Sequence, residues 1–187
     1  MDAFWSAARA LWFFLPAMLP NTSAAIFGGG RPIDGGRMLR GNRLLGDGKT
    51  WRGLFIGISS GILLGYAESI LSIPLGAHLS TVYTPSAEIL PVLFALSAGS
   101  MLGDIGGAFL KRRKGMPKGE KVPLLDQYDF SAGAFLLALA VAPSYVLMYL
   151  IDGYAPLGFA FVLAIIYPLH RLINYIGYRR GLKSVPW

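Results

Sequence analysis

The sequence of 187 residues predicts an all-α integral membrane protein with five transmembrane helices, and three observations carry that prediction. Hydrophobic residues make up 54% of the chain and mean hydropathy is +0.52, so a polar exterior cannot be built around it. Only 14% of residues are charged, well below the roughly 25% usual in soluble domains, yet the net charge is +7. That charge must therefore be gathered in a few places. There is no cysteine, which excludes a disulfide-stapled secreted fold, and the apolar content excludes intrinsic disorder. A soluble nucleic-acid binder would suit a pI of about 9.8 but not the apolar runs, so no nucleic acid polymer is expected as a partner.

A membrane-crossing helix needs roughly 17–25 mostly apolar residues. Five stretches qualify: Ala3–Phe27, Gly53–Ile73, Glu88–Leu110, Phe130–Ile151 and Tyr154–Gly177. None alternates as a barrel strand does, so the chain reads as one membrane-embedded helical domain. In the first stretch Pro16 and Pro20 predict a break, followed by the polar Asn21-Thr22-Ser23 and by Gly28-Gly29-Gly30. Leu11–Leu15 resembles a signal-peptide core, but the only basic residue before it is Arg9 and four spans follow, which argues against a cleaved leader. The third stretch carries Asp104 and the fifth ends near His170 and Arg171; the other weak candidates are Glu68, Glu88 and His78.

Orientation follows from Lys and Arg in short loops. Arg31, Arg37, Arg40, Arg43, Lys49 and Arg52 lie between spans one and two. Lys111, Arg112, Arg113, Lys114, Lys118 and Lys121 lie between spans three and four, and Arg171, Arg179, Arg180 and Lys183 at the C-terminal end. The connections after spans two and four have no Lys or Arg, so five spans put the N-terminus outside and the C-terminus in the cytoplasm. The two basic loops then form the active site on the cytoplasmic side of the cell membrane. Anionic lipid headgroups would explain the side these cations occupy. They do not explain Asp34, Asp47 and many glycines in loop one, or Asp126 and Asp129 closing loop two.

Three constellations could carry chemistry. Gly46-Asp47-Gly48-Lys49-Thr50-Trp51-Arg52-Gly53 combines glycines, which let an anion approach the backbone, with a helix start that aims free N–H groups at it. If the helix begins there, Lys49 and Arg52 lie one turn apart and face one phosphate chain. The alternative is an interfacial anchor, with Trp51 in the aromatic belt and both cations at the headgroups. A Walker A loop is excluded, because Arg43 stands where its first glycine belongs. Second, Asp104 is an ionisable group inside a span, two turns before Lys111 on the same face as Ser97 and Ser100. A structural ion pair with Lys111 or Arg112 is its alternative. Gly103, Gly106 and Gly107 beside it permit close helix packing or close ligand approach. Third, Asp126 and Asp129 are spaced to share one hard cation such as Mg2+, or to cap a helix. No zinc site and no Ser/His/Asp or Cys/His nucleophile can be assembled.

Together these segments resemble the archaeal CDP-archaeol synthases, relatives of the CDP-diacylglycerol synthases. The matching text is Leu19-Pro20-Asn21, Phe27-Gly28-Gly29-Gly30-Arg31-Pro32-Ile33-Asp34, Leu45 through Gly53, Gly103-Asp104, Lys111-Arg112, Gly115, Lys118 and Pro123 through Phe130. Of the broader cytidylyltransferase signature, the Gly-Asp, Lys-Arg and closing Asp-x-x-Asp elements are present. Its His-Gly-Gly is replaced by Pro123-Leu124-Leu125, and its Asp-Arg by Asp126-Gln127. The resemblance implies CTP and an isoprenoid glycerol phosphate, 2,3-bis-O-geranylgeranylglycerol 1-phosphate, as substrates, and a CDP-lipid and pyrophosphate as products. It implies Mg2+ on Asp104, Asp126 and Asp129, and phosphate binding by Lys49, Arg52, Lys111, Arg112 and Lys118. Asn21, Gly29, Gly30, Arg31, Asp47 and Thr50 would line the nucleotide pocket. A homodimer is left open. The competing expectations are a transporter using Asp104 and a broken first helix, or another CDP-lipid-handling transferase; the Asp-Gly-x-x-Ala-Arg pattern of CDP-alcohol phosphotransferases is missing.

Overall fold

A computed structural model describes residues 3–76, 79, 82–117 and 120–181. The chain forms α1 (Ala3–Phe27), a two-residue hairpin β1 (Met38–Leu39) and β2 (Asn42–Arg43), α2 (Trp51–Leu75), and a 3-10 turn leading into α3 (Leu90–Arg113). Then come α4 (Leu125–Val141), the single turn α5 (Pro143–Val146), a π-helical turn over Leu147–Ile151, and α6 (Ala155–Arg179). Among the described residues four helices are long and apolar enough to cross a membrane: Ala3–Phe27, Trp51–Leu75, Ala87–Arg113 and Ala155–Arg179. Leu63, Leu136 and Leu157 point outward from the bundle, as lipid-facing side chains do, while Phe13, Leu93, Leu96, Val146 and Ile166 fill its core.

The predicted break in the first span does not occur. α1 runs unbroken through Pro16 and Pro20. Proline at 20 removes the N–H that would bond the Pro16 carbonyl. That carbonyl is instead met from outside: a Cβ on Gly61 would overlap it, and the Ser97 hydroxyl lies 3.5 Å away. Gly53, Gly57, Gly61 and Gly65 are all buried and recur every fourth residue, so one face of α2 offers bare backbone to its neighbours in the bundle. Gly57 is tight against the Pro20 carbonyl in the same way.

The α3–α4 contact is closer still. A side chain on Gly99 or Gly133 would run into the other helix's backbone, and one on Gly103 into the Asp129 carbonyl. Gly107 packs against the Asp129 carboxylate, whereas Gly106 faces open space. Of the two roles the sequence allowed these glycines, Gly103 and Gly107 take the packing one. The stretch read as a single fourth span is built in three pieces. α4 stops at Val141 because Pro143 has no N–H to continue the ladder, and a short helix and the π turn follow.

The two basic loops meet at one end of the bundle. The Arg113 guanidinium, at the end of α3, donates to the carbonyls of Leu39 at 2.6 Å and Arg43 at 2.7 Å, so it clamps the hairpin of loop one.

Candidate active site

Loop one is organised around Asp34, which is buried. Its carboxylate accepts the backbone N–H of Gly36, Leu45 and Gly46, each at 3.0 Å, and the Arg43 guanidinium at 2.9 Å. Arg43 beside it holds the carboxyl well below the usual carboxylate range. Arg43 also reaches Asp47 at 2.7 Å. Asp34 is thus the anchor of the loop, with its acceptors turned inward, rather than part of a metal pocket. Farther along, the Ile33 N–H donates to the Lys49 carbonyl and the Trp51 N–H to the Arg31 carbonyl, which folds the loop back onto the start of α2.

That start separates two residues the sequence placed together. Thr50 is the N-cap, its hydroxyl accepting the Gly53 N–H at 3.1 Å, so Lys49 lies outside the helix and Arg52 inside it. They do not share a face. Lys49 turns inward and pairs with Asp104 at 2.5 Å, whereas Trp51 and Arg52 are exposed, as interfacial anchors would be. Asp104 consequently does not pair with Lys111 or Arg112. Lys111 instead pairs with Asp126 and donates to the Glu120 carbonyl at 3.3 Å. Arg112 donates to the Met116 carbonyl and passes close to Gly46, whose positive φ of 100° is a backbone conformation that favours glycine. Asp126 accepts the N–H of Val122, in the loop ahead of α4, at 3.0 Å beside its ion pair, and α4 has no side-chain cap. The carboxylate of Asp129 bonds its neighbour Phe130's N–H and lies within electrostatic reach of Asp104, Lys49 and Asp126.

These groups surround a cavity of about 610 Å3. Among the sequence-predicted residues, Asp47, Lys49, Asp104, Lys111, Arg112, Asp126 and Asp129 line it. A smaller cavity of about 90 Å3 shares Gly48, Lys49 and Asp104 with the first and adds Asn21 and Thr50, so the Lys49–Asp104 pair stands between the two. The Asn21 Oδ1 is buried with no hydrogen-bond partner. Gly29, Gly30 and Arg31 are exposed and, like Arg52, line neither cavity; Lys118 lies outside the described residues. Three residues that line the main cavity, Arg43, Glu120 and Asn174, are not among the sequence-predicted site residues, and His170, a weak candidate, lines it too. In the sequence Arg43 serves as a topology signal and as the residue that excludes a Walker A loop. His170 and Asn174 lie four residues apart in an apolar helix, and that i,i+4 polar pair was the sign available.

The described lining carries four cations (Arg43, Lys49, Lys111, Arg112) and five carboxylates (Asp47, Asp104, Glu120, Asp126, Asp129). A nucleoside triphosphate entering it needs more positive charge than the side chains supply. Among the described residues no three His, Asp or Glu side chains are close enough to form a metal cage. Mg2+ does not require one, since it is usually held by one or two carboxylates together with substrate phosphates. The donor set fits that mode.

An apolar helical bundle with a charged cavity of nucleotide size at one end defines a membrane-embedded enzyme acting on a phosphorylated substrate. A family model described as CarS-like, CDP-archaeol synthase, matches residues 7–187. The CDP-archaeol synthase of Halorubrum lacusprofundi is 44% identical over 180 residues, covering 96% of this chain and 97% of the relative. That of Methanosphaerula palustris is 46% identical over 174 residues, covering 92% and 99%. A solved structure described as an intramembrane enzyme for archaeal membrane lipids biosynthesis is 32% identical, with a TM-score of 0.66, over 90% of this chain and 94% of that one. The chain belongs to the CDP-archaeol synthase family. A transport role for Asp104 has no support in that kinship.

Proposed function

We propose that this chain transfers CMP from CTP to 2,3-bis-O-geranylgeranylglycerol 1-phosphate, giving the unsaturated CDP-archaeol and pyrophosphate in archaeal phospholipid synthesis. The reading is supported by family membership, and the single structural observation that carries it is the cavity in which Lys49–Asp104 and Lys111–Asp126 face each other. An oxygen of the lipid phosphate forms a bond to the α-phosphorus of CTP as the bond from that phosphorus to the β-bridging oxygen breaks, and pyrophosphate leaves. A phosphate monoester with a second pKa of about 6 is mostly dianionic at neutral pH, so no protein base or nucleophile is needed. The task left to the protein is to hold two anions together and neutralise them.

Lys49, Lys111, Arg112 and, newly, Arg43 are positioned for that. Arg52 and Lys118 remain proposals for the lipid phosphate at the membrane surface, Gly29–Arg31 for the turn that carries loop one, and Asn21, Asp47 and Thr50 for the pocket wall. Asp104, Asp129 and Asp126 would hold Mg2+, which supplies charge neutralisation of the triphosphate. The chain would cross the membrane five times, residues 125–151 forming a broken fourth crossing, with the basic loops in the cytoplasm.

The test is purified protein with labelled CTP, the geranylgeranyl glycerol phosphate and Mg2+. Asp104→Asn should lower turnover by about 100-fold or more, in the range found for removing one preorganised electrostatic group, while keeping its thermal midpoint. Near-normal turnover in that variant would sink the metal assignment. Full activity of the wild type in excess EDTA would sink the role of Mg2+.

A further inference from the structure

A second kind of space lies beside the charged cavity. Between the C-terminal ends of α1 and α6 is a cleft of about 150 Å3, walled by Ile26, Ile173, Ile176 and Gly177, with Arg180 at its edge. Ile26 and Ile176 are 44% and 45% exposed, so the cleft opens on the outer face of the bundle, where lipid would lie. It shares Thr22 and Ile173 with a narrower space of about 40 Å3 between α1, α4 and α6. That neck in turn reaches His170 and Asn174, which also line the charged cavity. Each space shares two wall residues with the next, so the three adjoin in order from the outer face of the bundle to the charged cavity. At the neck the buried Asn174 has its Nδ2 3.2 Å from His170 Nδ1, and the imidazole stacks on Phe130 with centroids 6.2 Å apart.

We propose that this line is the lipid substrate's route and binding subsite. An isoprenoid chain lies in the cleft between Ile26, Ile173 and Ile176, the glycerol passes His170 and Asn174, and the phosphate reaches the charged cavity. The inference rests on the cytidylyltransferase reading. The order of chemistry along the line is that of the substrate: apolar at the bilayer, the polar His170 and Asn174 in the middle, and the cavity's cations at the inner end. Depth also agrees. The cleft lies at the end of the bundle where α1 enters loop one, which is headgroup level, and Arg180 at its mouth suits an arriving phosphate. An apolar hole of about 150 Å3 takes one benzene-sized group, so the cleft grips a single five-carbon isoprene unit and leaves the rest of the chain in the bilayer. The neck holds little more than a water molecule's share of about 30 Å3, so His170 and Asn174 must shift as the glycerol passes.

Two measurements test this. A geranylgeranyl glycerol phosphate carrying a diazirine in the first isoprene unit, photolysed with the whole protein, should mark the segments around Ile26 and Ile173–Gly177, and unlabelled lipid phosphate should suppress the adducts. Adducts concentrated on α2 around Leu63 would overturn the proposal. Independently, Ile176→Trp and Ile173→Trp should raise KM for the lipid about tenfold or more with KM for CTP unchanged, since added bulk displaces the chain and not the nucleotide. An unchanged lipid KM, or both KM values rising together, would overturn it. Photolabelling needs no turnover, so cleft adducts in a wild-type protein that makes no CDP-lipid would refute the cytidylyltransferase reading alone. CDP-lipid formation with adducts elsewhere would refute the cleft alone.

Discussion

Asp34 anchors a loop of the site without lining its cavity. Three backbone amides and Arg43 take up its oxygens, and it anchors the loop that carries Arg43, Asp47 and Lys49 to the cavity. Because its pKa is lowered in the folded chain, its contribution to stability is complete above the unfolded value of about 4 and is lost as pH falls through the lower folded value. The gap in thermal midpoint between wild type and Asp34→Asn should therefore be constant from about pH 5 to 8 and shrink below about pH 4. A gap that narrowed on the alkaline side would contradict this. A second residue-scale prediction separates the cations of the helix start. Lys49→Ala removes a cavity charge and leaves Asp104 unpaired, so it should lower turnover about 100-fold or more, whereas the exposed Arg52→Ala should cost less than about tenfold. Equal losses in steady-state assays would restore the one-face reading of the pair.

Between helices, contact is decided by residues that have no side chain. Gly53, Gly57, Gly61 and Gly65 on α2, and Gly99, Gly103 and Gly107 on α3, let backbones approach where lipid offers no hydrophobic drive to do so. The α3 stripe also fixes Asp129, since Gly103 faces its carbonyl and Gly107 its carboxylate. Gly103→Val should thus act twice. It should destabilise the detergent-solubilised protein by about 1–3 kcal/mol, as overpacking does, and displace Asp129 enough to weaken CTP binding. Gly106→Ala, at an open position, should do neither; a thermal-shift series with CTP distinguishes them. Both stripes recur every fourth residue in the sequence, although only Gly103 and Gly107 among them stand out there, beside Asp104. What was not legible was their effect on α1: Pro16 and Pro20 read as a break, because a lone helix has no answer to a freed carbonyl, and only the neighbouring glycine face and Ser97 supply one. Pro143 was passed over for the opposite reason, since hydropathy does not register a missing N–H.

The molecule as a whole is a bundle with its charge at one end. Arg113 joins the hairpin of loop one to the end of α3, so the two loops that carry nearly all the site's charges converge there. If that end is cytoplasmic, a single cysteine at Arg37 should react with an impermeant maleimide only in opened cells, and one at Thr84 in intact cells. The absence of native cysteine makes the background low. The reverse pattern would invert the topology while leaving the fold unchanged.

By itself the sequence determined that the chain lives in a membrane and that its cations gather in two loops, while the resemblance to the CDP-archaeol synthases implied that Lys49, Asp104, Lys111, Arg112, Asp126 and Asp129 share a site. Length, hydropathy and charge are additive along a chain, so they can be read without coordinates. Tertiary structure alone decided who pairs with whom. Lys49 goes to Asp104 and Lys111 to Asp126 across segments distant in sequence, Asp34 turns away from the cavity, and His170 and Asn174 join it from α6. Pairing at a few ångströms depends on how helices lie against one another, and that was set by buried glycines and freed carbonyls whose partners stand on other helices.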